Sequence, residues 1–207
     1  MTDINTDDGQ ALLFYEEDLT SLINHSVRVS NLAYNLSKTY GLYEDRCHEL
    51  AIAGLLHDIG KLRVSSYLFG RTGDSLRIEE LKYLRQHPRL GYEILMRRDF
   101  SDFICESILY HHENYDGSGY QENLRGEQIP IGARILRICD VYAALTSDRP
   151  YRKAFDKDTA VELMIDEVKN YDMKIFMAFL STIHDPEMEK TWEDPGLVIR
   201  ICEEDAK

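Results

Sequence analysis

Leu55-Leu56-His57-Asp58-Ile59-Gly60-Lys61 sets an imidazole, a carboxylate and an ammonium close together, directly behind an apolar run that reads as the end of a helix. Neighbouring residues of a helix point about 100° apart, so His57 and Asp58 cannot easily serve one ion from mid-helix, whereas at a fraying end they can. The spacing therefore predicts a helix from about Tyr43 that carries Leu50, Ala53, Leu56 and His57 and stops at Gly60 in a left-handed turn. A second histidine pair, His111-His112-Glu113, closes a helix predicted over about Phe100 to His111 and leads into Asn114-Tyr115-Asp116-Gly117-Ser118-Gly119-Tyr120. His25, His87 and Asp140 supply further ligand types.

Working outward, apolar residues recur at three- and four-residue intervals through most of the chain, and sustained alternation is missing. This predicts an all-α, single-domain helical bundle with metal ligands at helix ends. The first helix is expected over about Thr20 to Tyr40, with Ile23, Val27, Ala33, Leu36 and Tyr40 along one face, His25 in its first turns and Gly41 at its end. Residues 62 to 76 read as a surface loop, with helix resuming at Ile78. Pro88 starts a helix just after His87, and residues 114 to 130 form an irregular loop closed by Pro130. A helix over about Ile131 to Thr146 then presents Asp140, and two more follow over about 157 to 170, with Asp156 or Asp158 as its cap, and 172 to 184. The expected organisation is a tail or short helix at 1–19, the domain at 20–185 and a C-terminal tail at 186–207.

A chain of 207 residues with 43% hydrophobic and 29% charged residues suits one well-buried soluble domain. The acidic start Thr2-Asp3-Ile4-Asn5-Thr6-Asp7-Asp8 has neither the basic nor the apolar segment of a secretory signal, and no run is long enough to span a membrane, which points to the cytoplasm and no membrane partner. Cys47, Cys105, Cys139 and Cys202 form no C-x-x-C pair and read as reduced core residues. A net charge of -13 would repel a long phosphate backbone and argues against duplex DNA or extended RNA as the main partner. Arg134, Arg137, Arg149, Arg152 and Lys153 concentrate positive charge in one stretch, which with bound metals suits a small anionic ligand such as a nucleotide.

A carboxylate offers two oxygens and an imidazole one nitrogen at a time, so Asp58 suits the bridge of a two-metal site. His25, His57 and Asp140 could complete one half and His87, His111 and His112 the other. Imidazole and carboxylate without thiolate favour iron or manganese, with zinc, nickel and cobalt as alternatives. Two such ions would activate a shared water and clamp the oxygens of an in-line displacement at phosphorus. Lys61 is placed to put positive charge on the phosphate or to protonate the leaving oxygen. His48 and His184 read as structural.

In this ordered set the chain resembles the HD-GYP domains, a branch of the HD superfamily of metal-dependent phosphohydrolases. The resemblance runs over roughly residues 20 to 155, from His25-Ser26-Val27-Arg28-Val29 through His57-Asp58-Ile59-Gly60-Lys61, His87-Pro88, His111-His112-Glu113 and Asp116-Gly117-Ser118-Gly119-Tyr120 to Asp140-Val141 and Ala144-Leu145-Thr146-Ser147-Asp148-Arg149-Pro150-Tyr151-Arg152. It implies hydrolysis of cyclic di-GMP to pGpG or GMP. The metal ligands it implies are His25, His57, Asp58, His87, His111, His112 and Asp140, with Asp58 and Lys61 in catalysis and Tyr120, Arg149 and Arg152 on the substrate. Arginine suits that place because its planar fork donates two hydrogen bonds to one phosphate.

Three positions depart from the pattern. Gln121 stands where the branch's name calls for proline, so the loop loses a fixed backbone angle and gains mobility or a different use in partner contacts. Ser21 stands where members with three metals carry glutamate, which leaves two metals expected here. Ala143 occupies a position that is often aspartate. Residues 1–19 are too few for the receiver or sensor module usually joined to such domains, so the protein is expected either to work alone or to receive its signal through a homo-oligomer or a signalling partner. The alternatives to a cyclic dinucleotide phosphodiesterase, with 3',3'-cyclic GMP-AMP as a second candidate substrate, are a non-catalytic nucleotide-binding or protein-interaction module and a phosphohydrolase of another nucleotide.

Overall fold

Val29, Leu32, Ala33 and Leu36 form a fully buried stripe along one side of the first helix, α1 (Thr6–Tyr40), and most of the remaining helices pack directly or indirectly onto it. The computed structural model describes residues 6–68, 82, 84–148 and 152–186. Gly41, at a φ of 94°, ends α1, and the amides of Gly41 and Leu42 both return to the carbonyl of Ser37, the arrangement that only a residue tolerant of left-handed geometry allows cheaply. The chain then folds back as α2 (Glu44–Leu56). These two helices approach closely because small residues meet: Ser30 donates to the Ala51 carbonyl at 2.6 Å, and a Cβ on Gly54 would lie 2.8 Å from the Ser30 backbone.

After the His57–Gly60 turn come α3 (Lys61–Leu68), α4 (His87–Met96), α5 (Asp102–Leu109), α6 (Ile131–Leu145), α7 (Lys157–Asp166) and α8 (Met173–Ile183). Short 3-10 turns lie at Gly126–Gln128 and Val168–Asn170, and no strand occurs among the described residues. The protein is thus an all-α helical bundle. Helix α6 is its axis, contacting α1, α2, α5, α7 and α8, with Ile135, Leu136, Ile138, Cys139, Tyr142 and Ala143 buried. Tyr142 meets Phe179 of α8 edge to face, and Phe179 in turn packs against Phe176. Capping follows the sequence: Ser101, Asp156 and Asp172 accept backbone N–H groups at the starts of α5, α7 and α8, and Pro88 lies in the first turn of α4. Cys47, Cys105 and Cys139 are free and buried, as expected, while Cys202 and most of the expected C-terminal tail lie outside the described residues. No helix among those residues is long and apolar enough to cross a membrane.

Four expectations are corrected. Helix α1 starts at Thr6 rather than near Thr20, so His25 sits past its middle and not in its first turns. Ile23 is 52% exposed, because the face that packs is set by Val29 to Leu36. Residues 61–68 are helix, not loop: the carbonyls of Gly60 and Ile59 pick up the amides of Val64, Arg63 and Leu62 as soon as the turn closes. The helix expected at Ile78 lies outside the described residues.

The fourth concerns Gly60, whose φ is not positive, so it is no left-handed stop. It is needed for space instead. A Cβ there would run into the His87 carbonyl and come within 2.8 Å of the Gly91 amide, so only glycine lets the His57–Asp58 turn lie against the start of α4. Gly60→Ala should therefore destabilise the protein by about 1–3 kcal/mol through overpacking and lower its metal content. Chemical denaturation with metal counting checks this, and a loss of stability with metal content intact would detach the contact from the site.

Candidate metal centre

Five separate places in the chain deliver the seven side chains singled out by sequence. His25 comes from α1, His57 and Asp58 from the turn after α2, His87 from the first residue of α4, His111 and His112 from the turn after α5, and Asp140 from α6. The structure brings all seven together. Ligand atoms of His87, His111 and His112 lie within 4.8 Å of one another, as do those of His25, His57 and Asp58, and those of His57, His111 and Asp140. His25, His57, Asp58, His87 and His111 are buried, and His112 and Asp140 half-buried.

Asp58 lies between the two halves. Its Oδ1 is 3.2 Å from His87 Nε2, and its Oδ2 is 3.4 Å from His57 Nε2 and 2.5 Å from Lys61 Nζ. Asp140 Oδ1 stands 3.0 Å from His25 Nε2 and 3.7 Å from His57 Nε2.

The imidazoles are oriented by the backbone. Nδ1 of His57, His87 and His111 each faces a carbonyl three residues earlier, that of Gly54 at 2.8 Å, Leu84 at 2.8 Å and Ile108 at 2.6 Å. A carbonyl only accepts, so Nδ1 carries a proton in all three rings and each neutral ring turns a lone pair on Nε2 inward. The Nε2 atoms of His87 and His111 then face each other at 3.4 Å with no proton to share. Beside them His57 Nε2 and Asp58 Oδ1 are buried without a hydrogen-bond partner. Buried acceptors aimed at one another cost free energy unless a cation lies among them. The donor set fits divalent metals on that ground.

Charge follows the same arrangement. Burial would raise the Asp58 carboxyl, but His57 and Lys61 hold it well below the usual carboxylate range. Burial likewise opposes ionisation of Asp140, and the His25 and His57 rings overcome it. Burial pushes His111 down, helped by His112, His57 and His87, and pushes His112 down to about 3. His57 goes the other way: burial would lower it, but Asp58 and Asp140 lift it to about 10. Without metal, Asp58 and Asp140 thus favour a proton on His57 Nε2, the nitrogen that when neutral turns its lone pair inward.

Tyr120 covers this cluster on one side. Its ring stacks on His112 with centroids 4.9 Å apart and an interplanar angle of 25°, and the Arg85 guanidinium lies over its ring, 5.3 Å from the centroid. The loop that carries it is tied down at several points. Asp116 Oδ1 accepts from the Ser118 amide and hydroxyl, buried Glu113 accepts from the Glu122 amide, and Gln121 Nε2 donates to the Arg85 carbonyl at 3.0 Å. Gln121 adopts a φ of 124°, which no proline can reach. The residue that departs from the pattern thus sets a different backbone path and a fixed tether.

The other positions singled out by sequence fall as follows. Arg152 donates to the carbonyls of Ala144, Leu145 and Lys153 and lies over the Phe155 ring, so it closes the end of α6. Arg149 lies outside the described residues. Ala143 is a buried core residue, and Ser21 is exposed. His48 stacks on Tyr34 and His184 faces the Leu180 carbonyl, both apart from the cluster. Sequence reasoning gave no individual role to Arg137. Its place on α6 three residues before Asp140 was the available signal.

Residues 15–175 match the family model described as HD domain. A cyclic di-GMP phosphodiesterase of Pseudomonas aeruginosa is 38% identical over 160 residues, covering 77% of this chain and 38% of that protein. The 3'3'-cGAMP-specific phosphodiesterase 1 of Vibrio cholerae is 34% identical over 156 residues, covering 73% and 36%. Among solved structures, a cyclic GMP-AMP specific phosphodiesterase of V. cholerae superposes with a TM-score of 0.66 at 16% identity, over 89% of this chain and 51% of that one, which is a likeness of fold. The chain spans roughly two fifths of the length of these curated relatives.

Two outcomes follow. Because Asp58 and Asp140 lift His57 to about 10, loading should displace a proton from this ring. Apparent metal affinity should fall about tenfold for each pH unit lowered between 9 and 6. Calorimetry in buffers of different ionisation enthalpy should read one proton released from this site, and loading with no proton release would show His57 already neutral. Gln121→Pro should break the tether to Arg85 and speed hydrogen exchange at the Tyr120 and Glu122 amides, while Gln121→Gly should lose the tether but keep the backbone path.

Proposed function

The chain belongs to the HD domain family, and from that membership we propose that it is a metal-dependent phosphodiesterase that hydrolyses a cyclic dinucleotide, cyclic di-GMP first, to pGpG or on to GMP. The observation that carries the reading is the inward-facing set of imidazole lone pairs and carboxylate oxygens that Asp58 divides into two halves. His25, His57 and Asp140 would hold one divalent ion, His87, His111 and His112 a second, with Asp58 shared. Imidazole and carboxylate donors without a thiolate favour iron or manganese. Bound there, the ions supply Lewis acidity to the phosphoryl oxygens and a lowered pKa to the attacking water.

The rest of the chemistry belongs to the chain. Asp58 keeps one oxygen on each half and so fixes the spacing across which an in-line displacement is run. Lys61, held on Asp58 Oδ2 and one-third exposed, presents its ammonium where negative charge grows on the leaving oxygen. Tyr120, its ring stacked on His112 beneath the Arg85 guanidinium, is assigned to the substrate by resemblance. Arg149 and Arg152 are assigned to the substrate by resemblance, and Arg152 would exchange one of its helix-end carbonyls for a phosphate oxygen. The catalytic unit is assigned to residues 20–185, working in the cytoplasm, alone or with a signalling partner or a second copy.

Protein reconstituted separately with iron and manganese should turn over cyclic di-GMP at about two metals per chain. Asp58→Ala should cut kcat by at least about a thousandfold, the scale of losing a group that acts on the transition state. Chromatography of the products and metal analysis check both. Full metal occupancy without product from cyclic di-GMP or 3',3'-cyclic GMP-AMP would overturn the substrate assignment in favour of another phosphoester or of binding without turnover.

A further inference from the structure

Arg137 is a half-buried arginine that meets no carboxylate among the described residues. It lies on α6 three residues before Asp140 and so shares that residue's side of the helix, less than one turn away. Its Nε donates to Asn114 Oδ1 at 3.0 Å, which ties it to the loop that begins two residues after His112. Its terminal nitrogens have no partner among the described residues. Neighbouring arginines differ. Arg134 pairs with Asp172 at 2.6 Å, Arg28 donates to Thr146 and Ser147, and Arg152 donates to three carbonyls.

The terminal nitrogens of Arg137 are not enclosed by protein, so they stand open to a ligand. Arg137 is half-buried, and its charge is felt at His112 and Tyr120, which lie on the second half of the cluster. A guanidinium beside a centre built for two dications is repelled once they bind, unless an anion stands between them. With Nε fixed on Asn114, the two Nη groups form the edge of a planar fork that matches two oxygens of one phosphate.

We propose that Arg137 is a substrate-binding residue, receiving through its Nη atoms the oxygens of a phosphate group of the nucleotide at the His112 and Tyr120 side of the cleft. This rests on the reading of the centre as a phosphoesterase. It assigns one subsite within that centre to a named side chain, which acts by holding the substrate and not by moving protons. Asn114 is its positioning residue: it fixes the plane of the fork.

The test uses metal-loaded protein and the variants Arg137→Ala, Arg137→Lys and Asn114→Ala, read three ways: metal content, affinity for inorganic phosphate by calorimetry, and kinetics on cyclic di-GMP. Arg137→Ala should weaken phosphate binding and raise KM by about 10- to 100-fold, the range for a charged hydrogen bond, with metal content unchanged and kcat within about threefold. Arg137→Lys should recover part of the loss, because it keeps the charge without the fork, and Asn114→Ala should lose less than Arg137→Ala. Phosphate affinity and KM unmoved by Arg137→Ala would overturn the proposal, as would loss of a metal in that variant. If wild-type protein leaves cyclic di-GMP intact while its phosphate affinity still depends on Arg137, the subsite stands and the substrate reading falls.

Discussion

Three histidine rings are held by the carbonyl three residues behind each of them, and the site depends on that lock. With Nδ1 donating to Gly54, Leu84 and Ile108, each ring has one orientation and one nitrogen turned to the cluster, and the three nitrogens converge. The lock works because His57 and His111 lie just past the ends of helices and His87 at the start of one, where the chain bends and the carbonyl three residues back is within reach of the ring. Gly60 then sets the distance between two of these places by letting the His57 turn touch the His87 carbonyl.

Much of this could be read in the sequence, and the reasons are local. His57-Asp58 and His111-His112 close apolar helical runs, Pro88 marks a helix start beside His87, and Asp140 sits in a strongly periodic segment, so periodicity and punctuation place each ligand. What could not be read depended on contacts between segments. The span of α1 before Thr20 escaped because its acidic residues show little apolar periodicity. Gly60 reads in the sequence as a left-handed stop, whereas its role is to leave room for another helix, and no pattern within one segment distinguishes the two. The tether of Gln121 to Arg85 and the single hydrogen bond of Arg137 to Asn114 join residues 36 and 23 apart, which spacing alone does not foretell.

The acidic balance of the chain and the anionic ligand proposed for it are compatible once charge is placed. The formal charge of -13 is a sum over the whole sequence, whereas Lys61 and Arg137 border a cluster whose Asp58 and Asp140 are answered by histidines and, when present, by metal. A short ligand with a few phosphates meets only that local field, and a long polymer would meet the whole acidic surface.

Helix α6 serves both the core and the site. Ile135, Leu136, Cys139 and Tyr142 are packed inward on it, and Arg137 and Asp140 are interleaved with them on another side. A helix cannot turn one set of residues without turning the other. Selection on the hydrophobic interior of this element is therefore also selection on its chemistry, and its evolutionary room is small. Sequence drift in α6 should be confined to changes that keep its rotation, while α7, whose Leu163 and Ile165 face solvent, is free to diversify.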